Sequence, residues 1–219
     1  MILNQEYLRE TTLMRNSFLK EKTECYYVLD YLRYGVPGNP DFILTLKNTF
    51  NDKSITDLLA AKETARDILC RWVPDVMEEA GLSSCMMACV PRAKALETYT
   101  PTQLYLLDAV SEAAGMLANV TDGIEAIVRH TNTKTTHLRN STVTRVTANG
   151  TREANMGAEP YPGITKDTCW LDTEAVFGEN ILLVDDIYTA GVNIDEDCIQ
   201  ALYDAGAERV VLFALSRTV

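Results

Sequence analysis

The last forty residues contain the pattern that most restricts the fold. A continuous apolar run at residues 181–184 predicts a buried strand, and residues 209–215, apolar after Arg209, predict a second one. Between them, apolar residues recur at helical spacing from Ile194 to Ala205, and Gly206 can end that helix. Strand, helix and strand in this order form a βαβ unit, which requires a parallel sheet with a right-handed crossover.

Two more apolar runs, at residues 84–90 and 123–129, predict further strands, and a helix is expected at 102–117. The expected class is therefore α/β, with a twisted and mainly parallel sheet. Residues 1–80 are predicted to be mainly helical, because Gly and Pro are few and apolar positions recur at helical spacing. Within them, residues 41–47 fit either a strand or a short buried helix.

The longest break in the pattern lies at residues 131–165, which are rich in Thr and Asn and lack apolar periodicity. A segment of this length is typical of a functional excursion or a linker. Within it, residues 141–147 alternate like an exposed hairpin.

Composition excludes several classes of protein. With 219 residues, 47% hydrophobic, the chain can form a real core and is not a disordered or collagenous sequence. A net charge of −11 argues against direct binding to nucleic acid. No apolar stretch approaches the roughly 20 residues that cross a bilayer, so we expect a cytoplasmic protein with no membrane contact. Six scattered cysteines do not imply disulfides, and the spacing of Cys85 and Cys89 does not favour zinc.

The segment between the predicted strand and helix of the βαβ unit carries the most informative chemistry. Open α/β sheets bind ligands at the carboxyl ends of their strands, where this segment is expected to lie. Thr189, Gly191 and Asn193 lead into a helix N-terminus, whose free N–H groups suit a phosphate. The carboxylates of Asp185 and Asp186 can accept hydrogen bonds from a diol or help to retain a hydrated Mg²⁺. A diol on the acids and a phosphate on the helix together describe a ribose 5-phosphate.

The order of residues 185–193 resembles the phosphoribosyl pyrophosphate (PRPP) motif of the type I phosphoribosyltransferases. The position of this segment near the carboxyl end, and residues 201–207 after it, are most similar to the ComF competence-protein family. Residues 43–47 resemble that family's Leu-Lys segment, and Arg152 and Asn155 its Arg-x-x-Asn motif. These similarities extend over about the last 180 residues.

The resemblance implies a type I phosphoribosyltransferase fold with an N-terminal hood at residues 1–80 and an α/β core at 81–219, whose mobile loop lies at about 131–165. Asp185 and Asp186 would be the catalytic acids that hold the ribose hydroxyls. The other implied contacts are with phosphate or pyrophosphate. The 5-phosphate loop would comprise Thr189, Ala190, Gly191, Val192 and Asn193. The first loop would contribute Arg92 and Lys94. The mobile loop would contribute Lys134, Arg139 and Arg152.

The implied activity is transfer of a phosphoribosyl group to a nitrogen acceptor, a pentosyl transfer in nucleotide metabolism. Its small-molecule donor, PRPP, would bring Mg²⁺ to the neighbourhood of Asp185 and Asp186, with no direct protein ligand expected. The sequence does not identify the acceptor. It does not determine the oligomeric state either, although a dimer is the commonest arrangement of cytosolic enzymes.

Three departures from the family pattern leave a second function open. Ala190 and Asn193 stand where Thr or Ser is usual, and residues 99–103 lack the Arg of the family's Arg-Gly-Phe-Asn-Gln stretch. The zinc ribbon common in the family is also missing, because no Cys-x-x-Cys pair occurs. The alternative is a catalytically weak or inactive module that binds PRPP or a nucleotide and regulates a partner, with a link to DNA uptake or processing. A segment filled by side chains, or two carboxylates both held in internal ion pairs with no cleft before them, would count against either function.

Overall fold

A six-stranded sheet forms the centre of the protein in a computed structural model, which describes residues 7–32, 36–136, 145–147 and 149–219. Only the first pair of strands is antiparallel; the other four pairings are parallel. The expected α/β class with a mainly parallel sheet is therefore confirmed. In spatial order the strands are β1 (Arg9–Leu13), β2 (Thr23–Tyr31), β10 (Arg209–Thr218), β9 (Asn180–Tyr188), β3 (Cys85–Cys89) and β4 (Val120–Asp122).

Helices and two short antiparallel ribbons surround this sheet. One ribbon pairs β5 (Ile127–Arg129) with β8 (Cys169–Leu171), and the other pairs β6 (Arg145–Val146) with β7 (Arg152–Glu153). Single 3₁₀ turns lie at Leu96–Thr98 and Pro101–Gln103. The α-helices are α1 (Asp41–Lys47), α2 (Ile55–Glu79), α3 (Tyr105–Met116), α4 (Ile164–Thr168), α5 (Thr173–Val176) and α6 (Ile194–Asp204). In the described ranges, no helix combines the length and apolar character needed to span a membrane.

The βαβ unit is formed as its pattern predicts, with β9 and β10 parallel and α6 between them in the chain. Leu182 and Val184 of β9 pack in the core on the α2 and α3 face of the sheet, whereas Ile181 and Leu183 pack on the α6 face. All four side chains are fully buried. The run is continuously apolar because both faces of this strand are covered.

The prediction of a mainly helical N-terminal portion is wrong for the region of β1 and β2. β2 is an inner strand that pairs with β1 on one side and β10 on the other. Its sequence, TECYYVLDY, is aromatic and apolar and is buried on both faces, so it has no clear period of two by which to recognise a strand. Helices do follow, and residues 41–47, which fitted two interpretations, form α1. A domain boundary after residue 80 would therefore separate β1 and β2 from the other four strands of the central sheet.

The predicted strand at residues 123–129 is much shorter and lies outside the central sheet. β5 covers only its last three residues, while β4, just before Gly123, occupies the sheet edge beside β3. The chain turns at Gly123, where an added Cβ would lie 2.3 Å from the Cγ of Met86. The close packing of this turn against β3 therefore explains the interruption.

The expected hairpin at residues 141–147 lies partly outside the described residues, which omit 137–144 and 148. The described part shows β6 paired with β7, Arg145 opposite Glu153 and Val146 opposite Arg152.

Candidate functional site

The candidate site lies at the carboxyl end of β9, where the chain turns into α6. β9 continues to Tyr188, so Asp185 and Asp186 are strand residues, not loop residues as predicted. The strand continues because β10 stays in register with it, Asp185 opposite Ala214 and Tyr188 opposite Arg217. On the other side, pairing with β3 ends beside Val184. Asp185 and Asp186 therefore lie just beyond the last residue of β9 that pairs with β3.

Asp186 is held by a cation from α1. The Nζ atom of Lys47 lies 2.9 Å from Oδ1 and 2.8 Å from Oδ2 of Asp186, and both side chains are less than 20% exposed. The hydroxyl of Ser216 donates to the main-chain carbonyl of the same aspartate, over 3.0 Å. The sequence resemblance included Lys47, but its pairing with Asp186 was not expected.

Asp185 is partly exposed and has a different environment. Burial of its carboxyl and the adjacent charge of Asp186 raise the pKa of Asp185 to about 7, against the opposing effect of Lys47. Its carboxyl group also forms a hydrogen bond with the carboxyl group of Asp195, in the first turn of α6. Among the described residues, no cation forms an ion pair with Asp185, in contrast to Asp186.

The turn between β9 and α6 presents main-chain N–H groups. Gly191 has φ +83°, in the left-handed region that favours glycine, and an added Cβ there would meet nothing within 4 Å. Asn193 has φ +64°, and α6 has no side-chain cap. Within the described part of the chain, the N–H groups of Gly191, Asn193 and Ile194 make no hydrogen bond. Such a group of free donors at a helix N-terminus suits an anion.

The side chains of this turn brace it internally. The hydroxyl oxygens of Thr189 and Thr218 lie 2.7 Å apart. The amide of Asn193 donates to the carbonyl of Gly191 over 3.1 Å and accepts from the amide of Asn16, also over 3.1 Å. Asn193 therefore uses part of its donor capacity to hold the loop, whereas the sequence interpretation gave its amide to a phosphate.

Three consecutive acids in the first turn of α6 are buried, which the sequence analysis did not anticipate. Glu196 accepts from the hydroxyl of Tyr188 over 3.1 Å. Asp197 accepts from the N–H groups of Gly163 and Thr165, at the start of α4. Acids are common at a helix N-terminus because of its dipole, so this composition alone gave no signal of burial.

The two first-loop candidates are bound to main-chain carbonyls. Arg92 donates to the carbonyl of Lys47 over 2.8 Å and to that of Gln103. Lys94 is almost fully buried and donates to the carbonyls of Thr133, at 2.6 Å, and Met156, at 2.7 Å. Burial, with a smaller contribution from nearby cations, lowers the pKa of Lys94.

Of the three mobile-loop candidates, Arg139 lies outside the described residues. Lys134 forms a salt bridge with Glu159, and Arg152 is exposed on β7. No contact between these two and the turn at 189–193 is found in the described part of the chain, so their role stays a prediction.

Two buried arginines that the sequence analysis missed join Arg92 and Lys94. Arg129 donates to the carbonyl of Arg92 over 2.7 Å and to the hydroxyl of Thr168. Arg145 forms an ion pair with Glu153 at 2.7 Å, and its guanidinium and that of Arg92 both lie against the Tyr99 ring. We call Arg92, Lys94, Arg129 and Arg145 the basic cluster. Arg129 and Arg145 lie 35 or more residues from Arg92 and Lys94 in the chain, so no local motif indicates that they join them.

Comparison with known proteins does not assign the site: no protein-family model and no curated protein matches this chain. Among the residues that the structure describes, no group of three or more His, Cys, Asp or Glu side chains is arranged to hold a metal ion. What the site can do is therefore argued from its geometry: a partly exposed acid pair next to free main-chain donors.

Proposed function

We propose that this protein binds PRPP or a nucleoside 5-phosphate at the β9–α6 turn and transfers the phosphoribosyl group to a nitrogen acceptor. One observation carries the proposal: Asp185 lies near the carboxyl end of β9, and the turn that follows this strand carries the unpartnered N–H groups of Gly191, Asn193 and Ile194. The acid can accept from ribose hydroxyls, and the N–H groups can donate to the phosphate.

The architecture around the turn supports a fold of the type I phosphoribosyltransferase kind, close to that of the ComF family. The sheet is mainly parallel, and the acids lie at the carboxyl end of an inner strand. Helix α1 reaches the same end of the sheet through the contact of Lys47 with Asp186. We infer that this part of the N-terminal region covers the site, as a hood would.

In the proposed reaction, the bond between C1 of the ribose and the pyrophosphate oxygen breaks, and pyrophosphate leaves with the electron pair. The acceptor nitrogen forms the new bond to C1 and loses a proton. Asp185 would hold the hydroxyls of the sugar, and Asp186 would contribute while anchored by Lys47. The turn would fix the phosphate, so that the reacting carbon is held in place.

Magnesium would enter with the pyrophosphate group and balance its charge. The carboxylate oxygens of Asp185 and Asp186 are of the type that water bound to Mg²⁺ can donate to. Neither is assigned as a direct ligand.

A second candidate, a binding module without catalysis, is favoured by the contacts of the cations. Lys47 already neutralises Asp186, and the guanidinium of Arg92 and the ammonium of Lys94 both donate to main-chain carbonyls. Pyrophosphate would have to compete with these carbonyls for the donors. A protein that holds a sugar phosphate and signals to a partner needs no such competition.

Calorimetry with PRPP and Mg²⁺ tests the binding. We expect binding to the wild type and at least a tenfold loss in the double variant Asp185→Asn, Asp186→Asn. Asp204→Asn, at the other end of α6, is the matched control and should bind as the wild type does. Equal affinity of the double variant and the wild type would refute the assignment of the acids.

Release of pyrophosphate from PRPP, measured with a panel of bases and amines, separates the two candidates. Turnover with any acceptor that is lost in the double variant identifies a transferase. Binding without turnover across the panel favours the regulatory module.

A further inference from the structure

Asp195 is the buried acid on which the site depends most directly. It is the second residue of α6, is only 4% exposed, and forms a carboxyl–carboxyl hydrogen bond with Asp185. In the described part of the protein its Oδ1 atom is buried without a hydrogen-bond partner. A buried carboxylate of this kind is costly unless it is protonated. The geometry therefore requires a proton at this contact.

The proton of this contact belongs mainly to Asp195. Burial, the charge of Asp185 and the charge of Glu196 raise the pKa of Asp195 well above its ordinary value. Asp195 is more deeply buried than Asp185, so the neutral form is favoured there and its hydroxyl donates to the Asp185 carboxylate. The two acids then carry one negative charge between them.

We propose that Asp195 is the positioning residue that holds the carboxylate of Asp185 toward the ribose hydroxyls. This role rests on the proposed function. Asp186 has Lys47 as its anchor, and Asp185 has no cation of that kind, so Asp195 supplies the second anchor. Its neutral form has another effect, because a charge two residues after Asn193 would repel the anion that the turn is proposed to bind.

Charged and titratable groups of six elements surround the pair, including the two elements that carry Asp185 and Asp195. Asp186 and, from α1, Lys47 are closest to Asp185, and Glu196 lies beside Asp195 on α6. Cys25 of β2 and Cys89 of β3 also interact with these acids, and Arg217 of β10 acts on Cys25. Lys47 favours the charged form of Asp185, and Arg217 favours the charged form of Cys25, while the neighbouring carboxylates oppose ionisation of Asp185 and Asp195.

Carbon-13 NMR of the aspartate carboxyl groups, followed from pH 4 to 9 in the protein without ligand, tests the pair directly. In the wild type we expect two linked carboxyl signals, one titrating near neutrality. In Asp195→Asn the amide replaces the neutral carboxyl group as the donor, so Asp185 should still titrate near neutrality. Asp195→Ala removes the donor and should raise the titration of Asp185 by at least one pH unit. Glu196→Ala, the same change one residue away, should alter the titration of Asp185 less. Ordinary, independent titration of both acids in the wild type would overturn the proposal.

The pH dependence of PRPP affinity then tests the positioning role. A protonated Asp185 accepts poorly from hydroxyls, so wild-type affinity should fall up to tenfold per pH unit below the midpoint. Asp195→Asn should keep that midpoint, because its amide replaces a neutral donor, whereas Asp195→Ala should move the midpoint to higher pH and weaken binding at every pH. Superimposable profiles of all three proteins would overturn the role of Asp195. No wild-type binding at any pH would instead refute the proposed function, while the NMR titration would still decide whether the acids share a proton.

Discussion

The turn region and the basic cluster both bury like charges, but they satisfy them in opposite ways. The four cations of the basic cluster donate mainly to main-chain carbonyls, and only Arg145 has a carboxylate partner, Glu153. The acids at β9 and α6 instead use a lysine, a tyrosine hydroxyl, main-chain N–H groups and one another. The cluster connects loops to one another, whereas the turn leaves main-chain N–H groups unpaired in the described part of the chain. Buried charge is common to both regions, so it does not distinguish a candidate site; the unpaired N–H groups of the turn do.

The largest effect is expected from the framework role of the basic cluster. Arg145→Ala removes a buried ion pair, a hydrogen bond to the carbonyl of Thr98 and the contact with Tyr99. The free energy of unfolding should fall by about 3 kcal/mol in urea denaturation, because buried partners are left unpaired. Arg152→Ala, an exposed position in the same ribbon, should change it by less than about 0.5 kcal/mol. Equal effects of the two changes would contradict the comparison.

A smaller effect on stability is expected from Lys47, which forms the ion pair with Asp186. Lys47→Met leaves the mostly buried Asp186 without its cation and should lower the free energy of unfolding by about 2 kcal/mol. The double variant Lys47→Met, Asp186→Asn removes both charges and should recover at least half of that loss. If the two single losses simply add in the double variant, the ion pair is not coupled in the way described.

The acid pair predicts how stability depends on pH. The pKa of Asp185 is about 7 when folded and near 4 when unfolded, so the folded protein binds the extra proton between these values. The unfolding free energy should therefore fall as pH rises through this window. In Asp185→Asn the fall between pH 5 and 7 should be smaller by about 1 kcal/mol, measured by denaturation at each pH. Asp204→Asn should keep the wild-type slope; an unchanged slope in Asp185→Asn would contradict the raised pKa.

The smallest effect concerns the shape of the turn. Gly191→Ala places a side chain at φ +83° and should cost about 1 kcal/mol, although there is space for the methyl group. Gly115→Ala is the matched control, because that glycine lies inside α3 without a positive φ. It should stabilise the protein by about 0.5 kcal/mol. Thermal unfolding of both variants measures the difference, and a loss of stability in both would show that the turn geometry is not the cause.

The sequence predicted well the elements whose signals are local. The strands and helix of the βαβ unit follow from two apolar runs, a helical period and Gly206, which has φ +99° where α6 has ended. β2 was missed because its side chains are buried on both faces and give no period of two, and because its inner position depends on pairing with β10, from the far end of the chain. The extension of β9 past its acids was missed for a similar reason, since it depends on pairing with β10.

The same distinction applies to the candidate site. Asp185, Asp186 and Gly191 were identified because their order along the chain carries the chemistry. The contacts of Lys47 and Asp195 were not predicted. Lys47 pairs with Asp186 across 139 residues of sequence, and Asp195 shares a proton with Asp185, and neither contact has a signature in local sequence. The basic cluster likewise assembles from three separate segments: the loop after β3, β5 and β6.

The strand order of the central sheet has a consequence for folding. β10 lies between β2 and β9, so Cys25 is paired with Leu212, a residue near the opposite end of the sequence. During synthesis β1 and β2 emerge before β10, so the edge of β2 that pairs with β10 stays unpaired until β10 has been synthesised. Contacts so distant along the chain slow folding and leave that edge open to unwanted association. The nascent chain is therefore more prone to aggregate before β10 pairs with β2 than afterwards.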